Sequence, residues 1–225
     1  MALRFDLVIF DCDGVLIDSE IISASMLIEE LALLGVRIDL DYVAKHFLGR
    51  SYPTVMQTIR QEFNLTLPPA FEDQYRARLL AAFESDLKIM PDVAGVIAGL
   101  GVPFCIATSS SPMRAAKSLD MVGLGHLAGP RLFTSSMVAR GKPAPDLFFH
   151  AANCMGAEPA RCLVIEDSLT GIRAAKAAGM PVWRFTGGGH LKNRVLDEPE
   201  DARPDMRFAS FAAFYDIAPD LKGQP

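Results

Sequence analysis

The stretch Phe5–Glu20 reads F-D-L-V-I-F-D-C-D-G-V-L-I-D-S-E, an apolar run of strand length that ends abruptly in two aspartates, Asp11 and Asp13, flanking a single residue. Residues two apart at the end of a strand point to the same side. Two carboxylates so placed repel and are costly unless a cation or a shared proton lies between them. Taken alone, D-x-D-G reads equally as a polar turn with solvated aspartates, because Asp and Gly are ordinary turn formers. The rest of the chain decides between the two.

Outward from this stretch, short apolar runs alternate with helical patterns. Phe5–Phe10, Pro103–Ala107, Cys162–Ile165 and Pro181–Phe185 have strand length and are bounded by turn residues, whereas Val93–Leu100, Met113–Met121, Asp146–Met155 and Leu169–Ala178 read as helices. Strands alternating with helices of about ten residues imply a parallel sheet with crossover helices. From Ser19 to about Lys88 the rhythm breaks, and only amphipathic helical stretches such as Ile21–Leu34 and Phe71–Phe83 remain. The expected fold is α/β: a doubly wound parallel sheet, Rossmann-like, with a small all-helical cap inserted after the first strand. Residues 1–18 and 89–225 are assigned to the core and 19–88 to the cap, with Asp86–Asp92 as the return linker.

Three further elements carry chemistry. Thr108-Ser109-Ser110-Ser111 follows the second core strand, where hydroxyls and turn amides make a plausible phosphate cradle. In Gly141-Lys142-Pro143 a lysine is held between a glycine and a proline, a point charge suited to an anionic oxygen. Leu163–Ser168 runs from an apolar strand into Glu166 and Asp167, hard oxygen ligands of the kind Mg²⁺ takes, although Asp167 or Ser168 could equally cap the next helix. Open parallel sheets bind ligands along the edge at the strands' C-terminal ends. All four elements are predicted there, so they converge on one crevice.

The ordered set D-x-D-G, T-S, G-K-P, E-D-S resembles the haloacid dehalogenase superfamily over essentially the whole chain. The resemblance is to the branch with a helical cap, in the β-phosphoglucomutase-like and sugar-phosphate phosphatase group. It implies that Asp11 is a nucleophile forming an aspartyl phosphate, that Asp13 is the acid–base residue and that Lys142 offsets phosphate charge. It further implies that Mg²⁺ is held by Asp11, the backbone carbonyl of Asp13 and Asp167, with Glu166 a further candidate. Thr108 would hydrogen-bond a transferring oxygen, with the amides of Cys12, Asp13 and Ser109, and Gly14 would let the backbone turn tightly. The Gly49-Arg50-Ser51 turn is expected to enter the site from the cap, where Arg50 could grip a hydroxyl or a second anionic group, or be an exposed loop arginine.

The mutases of this group carry a cap-hinge histidine and a lysine where Ser23 and Ser111 stand here, which disfavours a hexose-phosphate mutase. True dehalogenases lack the second aspartate, so Asp13 argues for phosphate chemistry, and no cap lysine is singled out for a Schiff base. A small phosphorylated metabolite, a sugar or sugar-acid phosphate, is the expected substrate. A mutase and a non-catalytic binding module are the competing readings.

Composition agrees. Half of the 225 residues are apolar and 22% are charged, enough for a sizeable core without staples. The net charge is −5 with no basic run, which argues against nucleic acid. No stretch has the length of a membrane span or a signal peptide's apolar segment. Cys12, Cys105, Cys154 and Cys162 show no C-x-x-C spacing and are read as reduced thiols, so a cytoplasmic protein is expected, a monomer or weak homodimer. His46, His126, His150 and His190 lack metal-like spacing and are read as surface or packing residues.

Overall fold

Period-two alternation sorts the side chains of each strand between two faces. The computed structural model describes residues 5–192, 194 and 198–224, and in it six strands pair in parallel. They are β1 (Leu7–Phe10), β2 (Phe104–Thr108), β3 (Leu132–Thr134), β4 (Cys162–Glu166), β5 (Val182–Phe185) and β6 (Met206–Phe208), in the order β3-β2-β1-β4-β5-β6. Val8, Phe10, Ile106, Ile165 and Trp183 share one apolar cluster, and Leu7, Ile9, Cys105, Val164 and Val182 the other. Both faces are therefore covered, which is why the central strands are apolar along most of their length, with Thr108 and Glu166 only at C-terminal ends and Arg184 the one charge inside β5.

Between β1 and β2 the chain forms α1 (Glu20–Leu33), α2 (Leu40–His46), α3 (Tyr52–Glu62) and α4 (Phe71–Asp86). Phe71, Tyr75, Leu79 and Phe83 recur every four residues on α4 and meet Leu27 and Leu31 of α1 and Met56 and Ile59 of α3 in a third apolar cluster. α5 (Val93–Gly99), α6 (Pro112–Met121) and α9 (Phe214–Ile217) add to the first cluster; α7 (Asp146–Met155) and α8 (Leu169–Ala177) add to the second. The sheet is thus doubly wound. The chain steps from β1 to β2 to β3 and then returns to the far side of β1, so the strand order reverses between β1 and β4.

Two backbone features tie the helical block to the sheet. Its entry and exit linkers are zipped together: Asp18 N–H donates to Lys88 O (2.9 Å), Met90 N–H to Leu16 O (2.9 Å), and Ile17 bridges Ile89. The turn between α2 and α3 lies on the core, where Ser109 Oγ donates to Gly49 O (2.9 Å) and Thr170 Oγ1 to Leu48 O (3.1 Å). Gly49 has φ +73°, and a Cβ there would stand 2.3 Å from Ser168 Oγ. Only glycine fits this position.

Two strands and three helices exceed the sequence reading. β3 and β6 have three residues each, too short for a periodicity, and β6 is a partly exposed edge. α2 and α9 are also short, and Pro53 in the first turn of α3 masks its pattern. Cys12, Cys105 and Cys162 are buried free thiols and Cys154 an exposed one. Among the described residues no helix is long and apolar enough to cross a membrane.

Ile59 is fully buried in the helical block. Truncation to alanine in such a site removes about 2–4 kcal/mol, so urea unfolding of Ile59→Ala should show a lower midpoint with the loss in that range.

Candidate active site

One ammonium organises the crevice at the ends of β1 and β4. Lys142, on the loop between β3 and α7, donates to Asp11 Oδ1 (2.6 Å), Glu166 Oε1 (2.7 Å) and Ala107 O (2.9 Å). Its three donors are thereby satisfied by groups from the ends of three strands. The peptide joining it to Pro143 is cis. Burial alone would lower the lysine's pKa, but Asp11 and Glu166 outweigh it and hold it above its ordinary value.

Asp11, Glu166 and Asp167 each offer a carboxylate oxygen within 4.8 Å of the others, and all three are buried. Burial and the neighbouring carboxylates push Asp11 and Asp167 well above the usual carboxylate range, despite Lys142. Asp167 Oδ2, buried, has no hydrogen-bond partner among the described residues. Hard oxygen donors, an excess of negative charge and an orphaned carboxylate oxygen fit a divalent cation such as Mg²⁺. Glu166 is the least available of the three. Its Oε2 accepts from the amides of Asp167 and Ser168 and from Ser168 Oγ (3.0 Å each), while Oε1 faces Lys142.

Gly14 has φ +79°, and a Cβ there would meet Asp167 Oδ2 at 2.0 Å, so the glycine of D-x-D-G is what lets the two acidic motifs approach. His190, read from the sequence as a surface or packing residue, is partly buried beside this cluster, Nε2 2.8 Å from Asp167 Oδ2 without hydrogen-bond geometry. Burial holds its imidazole below the usual range. It lies beyond β5 on the same sheet edge as the other motifs, and the edge rule that located them also points to it.

Asp13 is held apart from this cluster. Ser19 Oγ (2.5 Å) and Arg114 Nη2 (2.8 Å) donate to its Oδ1, and Ser110 Oγ (2.6 Å) to its Oδ2. Burial would raise its pKa, but Arg114 and the two hydroxyls outweigh burial and lower it. Arg114 carries no sequence signal, since an arginine on an amphipathic helix reads as a solvated face.

A cavity of about 390 Å³ lies between sheet edge and helical block, lined by Asp11, Asp13, Glu20, Arg50, Thr108, Ser109 and Arg114 among others. That volume suits a small molecule. Burial, then the charges of Asp13 and Asp167, push Glu20 up to about 8. The amides of Cys12, Asp13 and Ser109 donate to no backbone carbonyl among the described residues. The Cys12 side chain is buried in the sheet's apolar cluster, leaving only its backbone for the site. Thr108 is buried at the end of β2, its Oγ1 accepting from Ser110 N–H (3.1 Å). Arg50 is exposed at the cavity wall on the turn that reaches the core.

Residues 5–179 match the model of the haloacid dehalogenase-like hydrolases. The chain is 29% identical over 190 residues to the 6-phosphogluconate phosphatase of Escherichia coli, covering 84% of this chain and 86% of that protein. Among solved structures, a hydrolase of the same family from Deinococcus radiodurans, with bound phosphate and sodium, is 34% identical with a TM-score of 0.73, covering 99% of this chain and all of that one. A haloacid dehalogenase-like protein of unknown function from Agrobacterium tumefaciens is 33% identical with a TM-score of 0.76, covering 95% of this chain and 97% of the other. With four motifs meeting on one sheet edge and a match over most of its length, the chain belongs to the haloacid dehalogenase-like hydrolases.

Proposed function

We propose that this hydrolase is a phosphatase of small phosphorylated metabolites, sugar or sugar-acid phosphates, working through an aspartyl phosphate on Asp11. The observation that carries the reading is the Asp11–Lys142–Glu166 junction, set at one end of the cavity beside Thr108 and amides that meet no backbone carbonyl among the described residues. The relative named as a 6-phosphogluconate phosphatase and the neighbour with bound phosphate support the same chemistry.

In the first step a carboxylate oxygen of Asp11 attacks phosphorus, the bond to the alkyl oxygen breaks, and Asp13 delivers a proton to the departing alkoxide. Lys142, with Thr108 and the amides of Cys12, Asp13 and Ser109, balances the charge on the phosphoryl oxygens. In the second step Asp13 takes a proton from water as that water attacks the aspartyl phosphate, releasing phosphate and restoring Asp11. The side chains of Asp11 and Asp167 and the backbone carbonyl of Asp13 would hold Mg²⁺, with Glu166 behind them positioning Lys142. When bound, the cation supplies positive charge that lets an anionic nucleophile approach an anionic phosphate. Arg50 reaches the substrate from the helical block, residues 19–88, which closes over it and excludes water.

Ser23 Oγ donates to Ser19 O (2.9 Å) and accepts from Arg114 (3.2 Å), so the position where mutases carry a histidine is taken by a hydroxyl already bonded to the entry of α1 and to the sheet layer. This favours hydrolysis over a mutase.

The test is phosphate release from a panel of sugar and sugar-acid phosphates, 6-phosphogluconate included, with Mg²⁺ and with chelator. Turnover should require the cation and fall to background in Asp11→Asn; a folded protein releasing phosphate from no member would refute the reading. A second expectation concerns Gly49→Ala, whose methyl would collide with Ser168. Misplacing the closing turn by about 1 Å should lower kcat/KM on the order of 10²-fold, and the left-handed backbone should make the same variant melt a few degrees lower.

A further inference from the structure

Asp13 needs a defined direction if it is to give and take protons at the phosphorus, and three donors set that direction. Two are neutral hydroxyls, free to rotate. The third is the guanidinium of Arg114, which is anchored from several sides. Its Nη2 is shared between Asp13 Oδ1 and Ser23 Oγ, and its Cζ stands 5.4 Å over the ring of Phe83. Arg114 belongs to α6 of the sheet layer, whereas Ser23 and Phe83 belong to α1 and α4 of the helical block. One planar fork thus joins the acid–base carboxylate to both parts of the molecule. A guanidinium keeps its charge at all working pH values and holds its donors in one plane, so it orients a carboxylate more firmly than a hydroxyl can.

We propose that Arg114 is the positioning residue of Asp13, fixing its carboxylate at the cavity wall and tying that orientation to the closed helical block. The inference rests on the phosphatase reading above. It acts only through Asp13, and this separates it from a direct grip on substrate and from a general packing role.

Leaving-group dependence reads that difference. The parameter kcat/KM covers the steps up to departure of the leaving group. A sugar alkoxide needs the proton from Asp13; p-nitrophenolate does not. For Arg114→Ala, kcat/KM on the best sugar phosphate should fall ~10²-fold while that on p-nitrophenyl phosphate falls less than about threefold. In an Asp13→Asn background the same substitution should add no further loss on the sugar phosphate, the signature of two residues acting as one unit. Retained p-nitrophenyl phosphate turnover reports that the variant is folded; if Arg114→Ala does not fold, Arg114→Gln is read by the same ratio. Equal losses on both substrates, or full additivity with Asp13→Asn, would overturn the proposal. Wild-type protein that hydrolyses neither compound would instead overturn the phosphatase reading beneath it, a result visible before any variant is made.

Discussion

Carboxylates crowded together in dry surroundings cannot all stay ionised without positive charge. Asp11, Glu166 and Asp167 meet under those conditions, and the ammonium of Lys142 is wedged between two of them. Desolvation makes each charge expensive and, by the same low polarisability, makes each opposite-charge contact strong. One lysine against three carboxylates leaves a deficit, and the deficit is what a divalent cation fits. The remaining architecture can be understood as the means of bringing these groups together. Parallel pairing aligns the strand ends, the reversal of strand order between β1 and β4 opens a crevice, and Gly14 removes the one side chain that would keep Asp167 out.

Asp13 stands in a different electrostatic setting only two residues from Asp11. It is ringed by donors that favour its charged form, whereas burial and the neighbouring Glu166 and Asp167 oppose the charge of Asp11 despite Lys142. Two carboxylates on one turn thus lie in contrasting electrostatic surroundings. Sequence spacing sets them on one side of the strand. The contrast comes from Arg114, Ser19 and Ser110, which reach Asp13 from separate elements.

What was legible in the sequence follows from this. The four central strands are visible as continuous apolar runs bounded by turn residues, and the helices flanking them and the long α1 and α4 because one-sided burial imposes a period over many residues. β3 and β6 are not visible, because three residues cannot show a period, and α3 is obscured by a proline that is harmless in a helix's first turn. The acidic motifs, Thr108 and Lys142 are legible because acidic, hydroxyl and cationic residues directly follow apolar strands or sit between Gly and Pro. His190 follows the same edge rule, but its glycine-rich surroundings resemble an ordinary loop. Arg114 is invisible for a deeper reason: its importance lies in partners 91 and 101 residues away, and no local pattern encodes them.

The zipped linkers have a consequence for how such a protein can change. Because Asp18 bonds Lys88 and Met90 bonds Leu16, the helical block leaves and rejoins the sheet at one point. The sheet therefore experiences the insertion as a short, already closed loop, whatever lies beyond it, and the entropy of closing a longer one grows only logarithmically. With an apolar cluster of its own, the block can be lengthened, shortened or resurfaced without disturbing strand register. The wall that the block lends to the cavity can then diverge while the buried carboxylates and lysine at the sheet edge stay fixed, so that the two parts of the molecule are free to evolve at different rates.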